Sequence, residues 1–306
     1  MDTQLEPAIA AMVAEFIAAG RPKASSLSWQ ERREGYLASA ILGGEREEVG
    51  AVEEWQNGHY SVRLYQPAST SSASRPALIY FHGGCFVSGE FDTHDRQMRM
   101  LCNRAEALVF AVHTRLAPEH TYPAAHDDAL AATLAIMADV EKWHGDPARI
   151  ALAGDSAGGH LPLITTLRLK EQGAPLPAAQ LLIYPMLDAA GDSDSYRQLG
   201  DDYLITRDML LSGFKAYLGE LPAPHPEASP LHHPDLSGLP PTHIVTAEYD
   251  PLRDEGEAFY RKLLQAGVTT TCQRQLGVIH GFFQLAGVSP AARQLIEQLS
   301  LLIRRL

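Results

Sequence analysis

Three side chains, far apart in the chain, are of the types that nucleophilic acyl chemistry requires. Ser156 lies in Gly154-Asp155-Ser156-Ala157-Gly158, a G-x-S-x-G pentapeptide. The apolar run 149–153 ahead of it reads as a strand, and a helix is expected to start near His160. A serine on so abrupt a strand-to-helix turn is strained and exposed. Residues 154 and 158 must then be small, because backbone segments crowd together there. A hydroxyl is a weak nucleophile at neutral pH. It needs a base within hydrogen-bond reach, an orienting partner for that base, and N–H groups aimed at the developing oxyanion.

The rest of the chain offers each part. Asp250 closes the strand-like run 242–250, and Pro251 ends it. The run 269–276 is a further strand, and past it His280 sits in the loop 277–283. Histidine is the side chain whose ordinary pKa suits proton transfer near neutrality. Among the 13 histidines, His160 falls in the helix after Ser156 and reads as packing. His120 and His126 belong to a Pro-rich loop and a helix start, and His225, His232 and His233 to a Pro-rich segment. None follows a late strand as His280 does. Asp254 and Glu255 compete with Asp250, but a turn further into a helix they read as caps or ion-pair partners. Upstream, the apolar run 77–81 leads into His82-Gly83-Gly84-Cys85-Phe86. Consecutive glycines let the backbone turn its amides toward a substrate. Gly83, Gly84 and Ala157 are therefore the expected oxyanion donors.

These residues need a scaffold that brings strand ends to one edge. Strand patterns recur at 49–55, 60–66, 77–81, 108–112, 149–153, 180–184, 243–249 and 269–275, with helical stretches such as 124–143 and 160–172 between the later ones. This alternation predicts a mostly parallel eight-stranded sheet covered on both faces. Gln56-Asn57-Gly58-His59 is a hairpin signal, so the first two strands should be antiparallel. Residues 68–76 read as a polar loop, and no internal repeat is present. Helical spacing over 7–19, a helix after Ser28 as N-cap, and another over 206–218 stand outside the alternation. The last of these lies between 192–195, read as a loop, and the Pro- and His-rich stretch 222–241. Such amphipathic segments need an apolar surface to cover, and the sheet edge carrying Ser156 is the expected place.

At this point the chain resembles the hormone-sensitive-lipase branch of the α/β-hydrolases, which includes many bacterial carboxylesterases. The matching stretches are HGG-C-F (82–86), RLAPEH (115–120), YPAAHDD (122–128), GDSAGG (154–159), YPMLD (184–188), AEYDPLRDEG (247–256) and HGFF (280–283). They stand in the family's order and at family-like intervals: 74 residues from His82 to Ser156, 94 on to Asp250 and 30 more to His280. The resemblance implies an α/β-hydrolase fold, with Ser156 as nucleophile, His280 as base then acid, and Asp250 as its orienter. It implies structural ion pairs for Arg115, Glu119, Asp127 and Asp128. It also implies a division into N-terminal helices contributing to a cap (1–45), a catalytic core (46–188 and 240–306) and a cap insertion (189–239). One departure is Cys85, where the family usually has a third glycine. It would be strained if that position needs positive φ. It stands at the pocket wall, open to thiol reagents, or is a small buried hydrophobe, and the second is preferred.

Composition narrows the function. With 25 basic against 37 acidic residues the formal charge is −12, which argues against nucleic acid and against an anionic membrane surface. Three separated cysteines make neither a disulfide framework nor a zinc pattern. The N-terminus lacks the basic start of a signal peptide and no run is long enough to span a membrane, so a cytoplasmic location is expected. The expected activity is hydrolysis of short- to medium-chain acyl esters, small molecules, with no cofactor or metal. Cys85, Phe86, Tyr203, Leu204, Phe214 and Phe282 are the expected pocket lining. A homodimer through 269–306 is an option, although core packing explains the last helix equally well. The competing class is a non-catalytic ligand receptor, for which the gibberellin receptors of this fold are the precedent. Such receptors lose the base, whereas Ser156, Asp250 and His280 are all present here. Hydrolysis of amides or lactones, or acyl transfer, is the remaining alternative.

Overall fold

The computed structural model describes residues 4–20, 23–68, 73–219, 221 and 225–306. Parts of the loop 68–76 and of the stretch 222–241, and the first three residues, lie outside them. The eight strands are β1 (Ala51–Asn57), β2 (Tyr60–Gln66), β3 (Arg75–Phe81), β4 (Leu108–His113), β5 (Gly145–Asp155), β6 (Ala179–Ile183), β7 (Thr242–Tyr249) and β8 (Thr270–Ile279). They form one sheet in the order β1-β2-β4-β3-β5-β6-β7-β8. β2 runs antiparallel to both its neighbours, β1 and β4, and every other pairing is parallel. The helices are α1 (Pro7–Ala19), α2 (Trp29–Ser39), α3 (Phe91–Ala105), α4 (Ala124–Asp139), α5 (Ala157–Glu171), α6 (Asp194–Leu199), α7 (Arg207–Leu218), α8 (Arg253–Gln265) and α9 (Pro290–Arg304). None is long and apolar enough to cross a membrane.

The two-residue period of the strands sorts the core into layers. Leu78 and Tyr80 of β3 pack on one face with Met98 and Leu101 of α3, Leu295 and Leu299 of α9, and Ile9 of α1. Ala77, Ile79 and Phe81 of the same strand pack on the other face with Ala129 and Ala132 of α4 and Leu161 of α5. β3 is buried on both faces, which is why its sequence is a continuous apolar run rather than an alternating one. Ala291, Leu295, Ile296 and Leu299 are all core residues, so packing inside one chain accounts for the pattern of α9.

Local boundaries depart from expectation in four places. α5 starts at Ala157, directly after the serine, rather than near His160. β8 continues through Gly277-Val278-Ile279 across a register shift against β7, so His280 leaves the strand itself and not a loop. Residues 192–195 are not all loop, because Ser193 caps α6 by accepting the Tyr196 N–H. The polar loop ends earlier than expected, with Arg75 already in β3.

The expected ion pairs hold distant segments together. Arg115, in the loop after β4, pairs with Asp128 of α4 at 2.8 Å. Asp127 reaches Arg168 of α5 at 2.8 Å, and Glu119 reaches Arg33 of α2 at 2.6 Å. Arg33 also donates to the carbonyls of Val87 and Ala117, which fixes α2 to the loops beside the sheet edge.

Candidate active site

Ser156 occupies the turn between β5 and α5 with φ 58° and ψ −122°, a conformation costly for a residue with a Cβ. It persists because the surroundings leave no alternative. The Ser156 N–H donates to Ile183, while the Ser156 carbonyl accepts from Gly159, His160 and Met186. The crowding expected at 154 and 158 is present. A Cβ on Gly158 would lie 2.1 Å from the Phe81 carbonyl oxygen, and one on Gly154 would lie 2.0 Å from that of Gly158.

β5, β7 and β8 deliver three side chains to one point. His280 Nε2 lies 2.9 Å from Ser156 Oγ, and His280 Nδ1 lies 2.8 Å from Asp250 Oδ2. Asp250 Oδ1 accepts the Leu252 N–H, so both carboxylate oxygens are fixed and the aspartate is fully buried. A carboxylate can only accept. Nδ1 must therefore carry the proton, which leaves Nε2 as the lone pair facing the serine hydroxyl. The arrangement can remove a proton from Oγ and stabilise the resulting imidazolium.

The rival residues have other work. The His160 ring nitrogens face the carbonyls of Met186 and Glu227. Asp254 accepts the Ser195 N–H. Glu255 is neither cap nor ion-pair partner. It is buried beneath the sheet edge and accepts the Leu187 N–H at 2.7 Å, and burial pushes its pKa well above the usual carboxylate value.

The amide cradle needs one correction. The Gly83 N–H, an expected oxyanion donor, is already given to Asp155 Oδ1 at 2.9 Å. Asp155, buried next to the nucleophile, also takes the Tyr80 hydroxyl at 2.8 Å and lies 3.0 Å from His94 Nε2. Burial alone would raise its pKa. Attraction to His94 and the hydrogen bonds from Tyr80 and Gly83 outweigh burial and hold it below the usual value. Gly84, Cys85 and Ala157 keep amides without a hydrogen bond among the described residues, and Gly84 and Cys85 line the cavity over Ser156. No feature of the sequence marked Asp155 and His94 for this role, although Asp155 lies inside the G-x-S-x-G motif.

Cys85 is left-handed at φ 55°, as the glycine usual at this position would allow more easily. It lies in the core against α7, where a Cβ on Gly213 would come within 2.5 Å of the Cys85 Cβ. Burial pushes its thiol up to about 11. Iodoacetamide under mildly alkaline conditions should therefore leave native Cys85 unmodified and the activity intact. Peptide mass spectrometry before and after denaturation checks this, and rapid labelling of the native protein at Cys85 would contradict it.

A cavity of about 970 Å³ opens over Ser156 and His280. Of the six residues expected to line it, Cys85 and Leu204 do. Phe86, Phe214 and Phe282 are instead in the core. Phe86 stacks on Tyr217 with centroids 4.4 Å apart, Phe214 packs in the same cluster, and Phe282 packs against Tyr184. Tyr203 packs against Tyr249 at 5.2 Å. Most of the walls come from elsewhere: Met12, Phe16 and Ile17 of α1, Arg32 and Tyr36 of α2, and Met209 of α7.

Known proteins match this geometry. A family model described as alpha/beta hydrolase fold matches residues 78–284. Esterase LipI of Mycobacterium tuberculosis is 38% identical over 240 residues, spanning 78% of this chain and 75% of that protein. Ethyl acetate hydrolase of Pseudomonas putida is 34% identical over 299 residues, 93% of each chain. The hyperthermophilic esterase of the archaeon Pyrobaculum calidifontis superposes with a TM-score of 0.92 at 33% identity, over 99% of this chain and 98% of that one. The chain belongs to the hormone-sensitive-lipase family of the α/β-hydrolase superfamily.

Proposed function

We propose that this carboxylesterase cleaves its ester through Ser156, with His280 as base and then acid and Asp250 as the orienting carboxylate. The observation that carries the mechanism is the continuous hydrogen-bonded line from Ser156 Oγ through His280 to Asp250. His280 Nε2 takes the Ser156 proton as Oγ attacks the ester carbonyl. The oxyanion settles on the free amides of Gly84, Cys85 and Ala157, with Cys85 in the place first given to Gly83. The alcohol leaves with the proton held on His280. Water, deprotonated by the same nitrogen, then releases the acid and restores Ser156. A receptor without catalysis would have no use for an imidazole held in this tautomer.

α1, α2 and the insertion 189–239 act as the cap in this reading, over a core of 46–188 and 240–306. Two links support it. Arg32 of α2 donates to Ser212 and to the Met209 carbonyl of α7, and the Ser25 N–H donates to Asp208. The size of the cavity favours short- to medium-chain acyl groups, roughly two to eight carbons. The three free cysteines fit a reducing, cytoplasmic setting. β8, at the end of the sheet order with Leu276 exposed, is the edge across which a homodimer would pair. An aryl phosphonate should label the protein once, at Ser156, and the rates of an aryl ester series should peak below about eight acyl carbons. Labelling elsewhere, or a peak on long insoluble triglycerides, would count against this.

A further inference from the structure

The cavity is lined by apolar side chains, by the carboxylates of Glu15, Glu31, Asp155, Asp201, Asp202 and Asp208, and by two cations. The α1 wall is mostly apolar, with Met12, Phe16 and Ile17, whereas α2 turns Arg32 and Tyr36, four residues apart and thus on one face, toward the same space. Arg32 is partly buried and has no carboxylate within ion-pair distance among the described residues. Its guanidinium donates to two neutral acceptors, Ser212 Oγ at 2.9 Å and the Met209 carbonyl at 3.2 Å, and lies 4.9 Å from the centre of the Trp29 ring. Three of its five N–H donors remain. Asp208 acts on it from beyond ion-pair range, and that carboxylate already accepts the Ser25 N–H. Lys23, the other cation lining the cavity, is exposed.

A structural tie between α2 and α7 does not need a charge. A neutral amide could make the same two hydrogen bonds without the desolvation that here depresses the Arg32 pKa. Gly84 and Cys85 of the amide cradle line the same cavity as the guanidinium. A planar fork with free donors in this cavity is suited to one kind of guest, a carboxylate, which it can hold by two parallel hydrogen bonds.

We propose that Arg32 receives a carboxylate carried by the ester itself, so that this enzyme selects anionic esters: half-esters of dicarboxylic acids or O-acylated hydroxy acids. This rests on the esterase function proposed for Ser156. The free carboxylate lies away from the scissile bond and takes no part in the chemistry. It orients the ester over Ser156 and contributes to KM more than to kcat.

The test compares kcat/KM for matched pairs in wild type, Arg32→Gln and Arg32→Lys. Monoethyl glutarate against ethyl hexanoate reports a carboxylate on the acyl side, and 3-acetoxypropanoate against butyl acetate one on the alcohol side. For one of the pairs, the ratio of anionic to neutral ester should fall about tenfold or more in Arg32→Gln, chiefly through KM. Arg32→Lys should restore part of it, and added salt should narrow it. Using the neutral ester as denominator removes any general loss from altered packing. An equal ratio in wild type and Arg32→Gln for both pairs overturns the proposal. Calorimetric binding of the same esters to Ser156→Ala, with and without Arg32→Gln, reads the preference without turnover. An Arg32-dependent preference there supports the anionic site even if Ser156 proves not to be the nucleophile, and its absence overturns the site.

Discussion

Replacing Ser156 by alanine should lower kcat for a short aryl ester by about 10⁵- to 10⁶-fold while leaving the fold in place. The loss is that large because Oγ forms the bond that splits one difficult hydrolysis into two easier steps, and no neighbouring group can replace it. Stability should change by only about 1 kcal/mol, the net value of the hydrogen bond to His280. His280→Gln should cost a comparable factor. Combining it with Ser156→Ala should cost little more, because groups that act as one unit are not additive. Circular dichroism and a urea melt establish that the variants are folded, and a spectrophotometric assay gives the rates. Retention of wild-type turnover by folded Ser156→Ala would remove the mechanism and leave the family membership standing.

The second large effect is expected at Asp155, next to the nucleophile in the chain. Asp155→Asn keeps the shape but removes the negative charge on which the Tyr80 hydroxyl, the Gly83 amide and His94 converge. Neutralising a buried, hydrogen-bonded carboxylate weakens these bonds at a cost of about 1–3 kcal/mol. The Gly83 amide then holds to a neutral oxygen instead of a charged one, so the loop from Gly83 to Cys85 is held less firmly and kcat should fall by up to about 10²-fold, the order of one lost oxyanion donor. The pH dependence has a definite sign. The folded pKa of Asp155 lies below the unfolded value of about 3.9. The stabilisation is therefore complete at neutral pH and is lost as acid takes the pH down through the folded pKa. The gap between wild type and variant should be widest near neutrality and should close below about pH 4. Coincident urea melts at neutral pH would show that Asp155 is not an anchor.

Much of the candidate site was legible because its residues are marked by local patterning. Ser156, Asp250 and His280 each directly follow a strand, and β5 and β7 carry apolar runs that a glycine or proline stops. Strand, stop and reactive side chain all lie within about ten residues, the range over which periodicity and backbone preference act. The hairpin at 57–60 and Ser28 as the N-cap of α2, where it accepts the Glu31 N–H, were readable for the same reason.

The misjudged features depend on contacts that no local pattern contains. Gly83 and Gly84 are adjacent and chemically identical, yet one amide is occupied by a carboxylate 72 residues away. Phe86, Phe214 and Phe282 have the apolar character of pocket lining, and packing turned all three into the core. The walls they were expected to form are made instead by α1 and α2, joined to α7 by Arg32 across 180 residues of sequence. Neighbouring residues decide whether a stretch is strand, turn or helix. Which donor stays free and which side chain faces a cavity is decided when finished elements compete for each other's surfaces, because every buried polar group and every apolar face must find a partner.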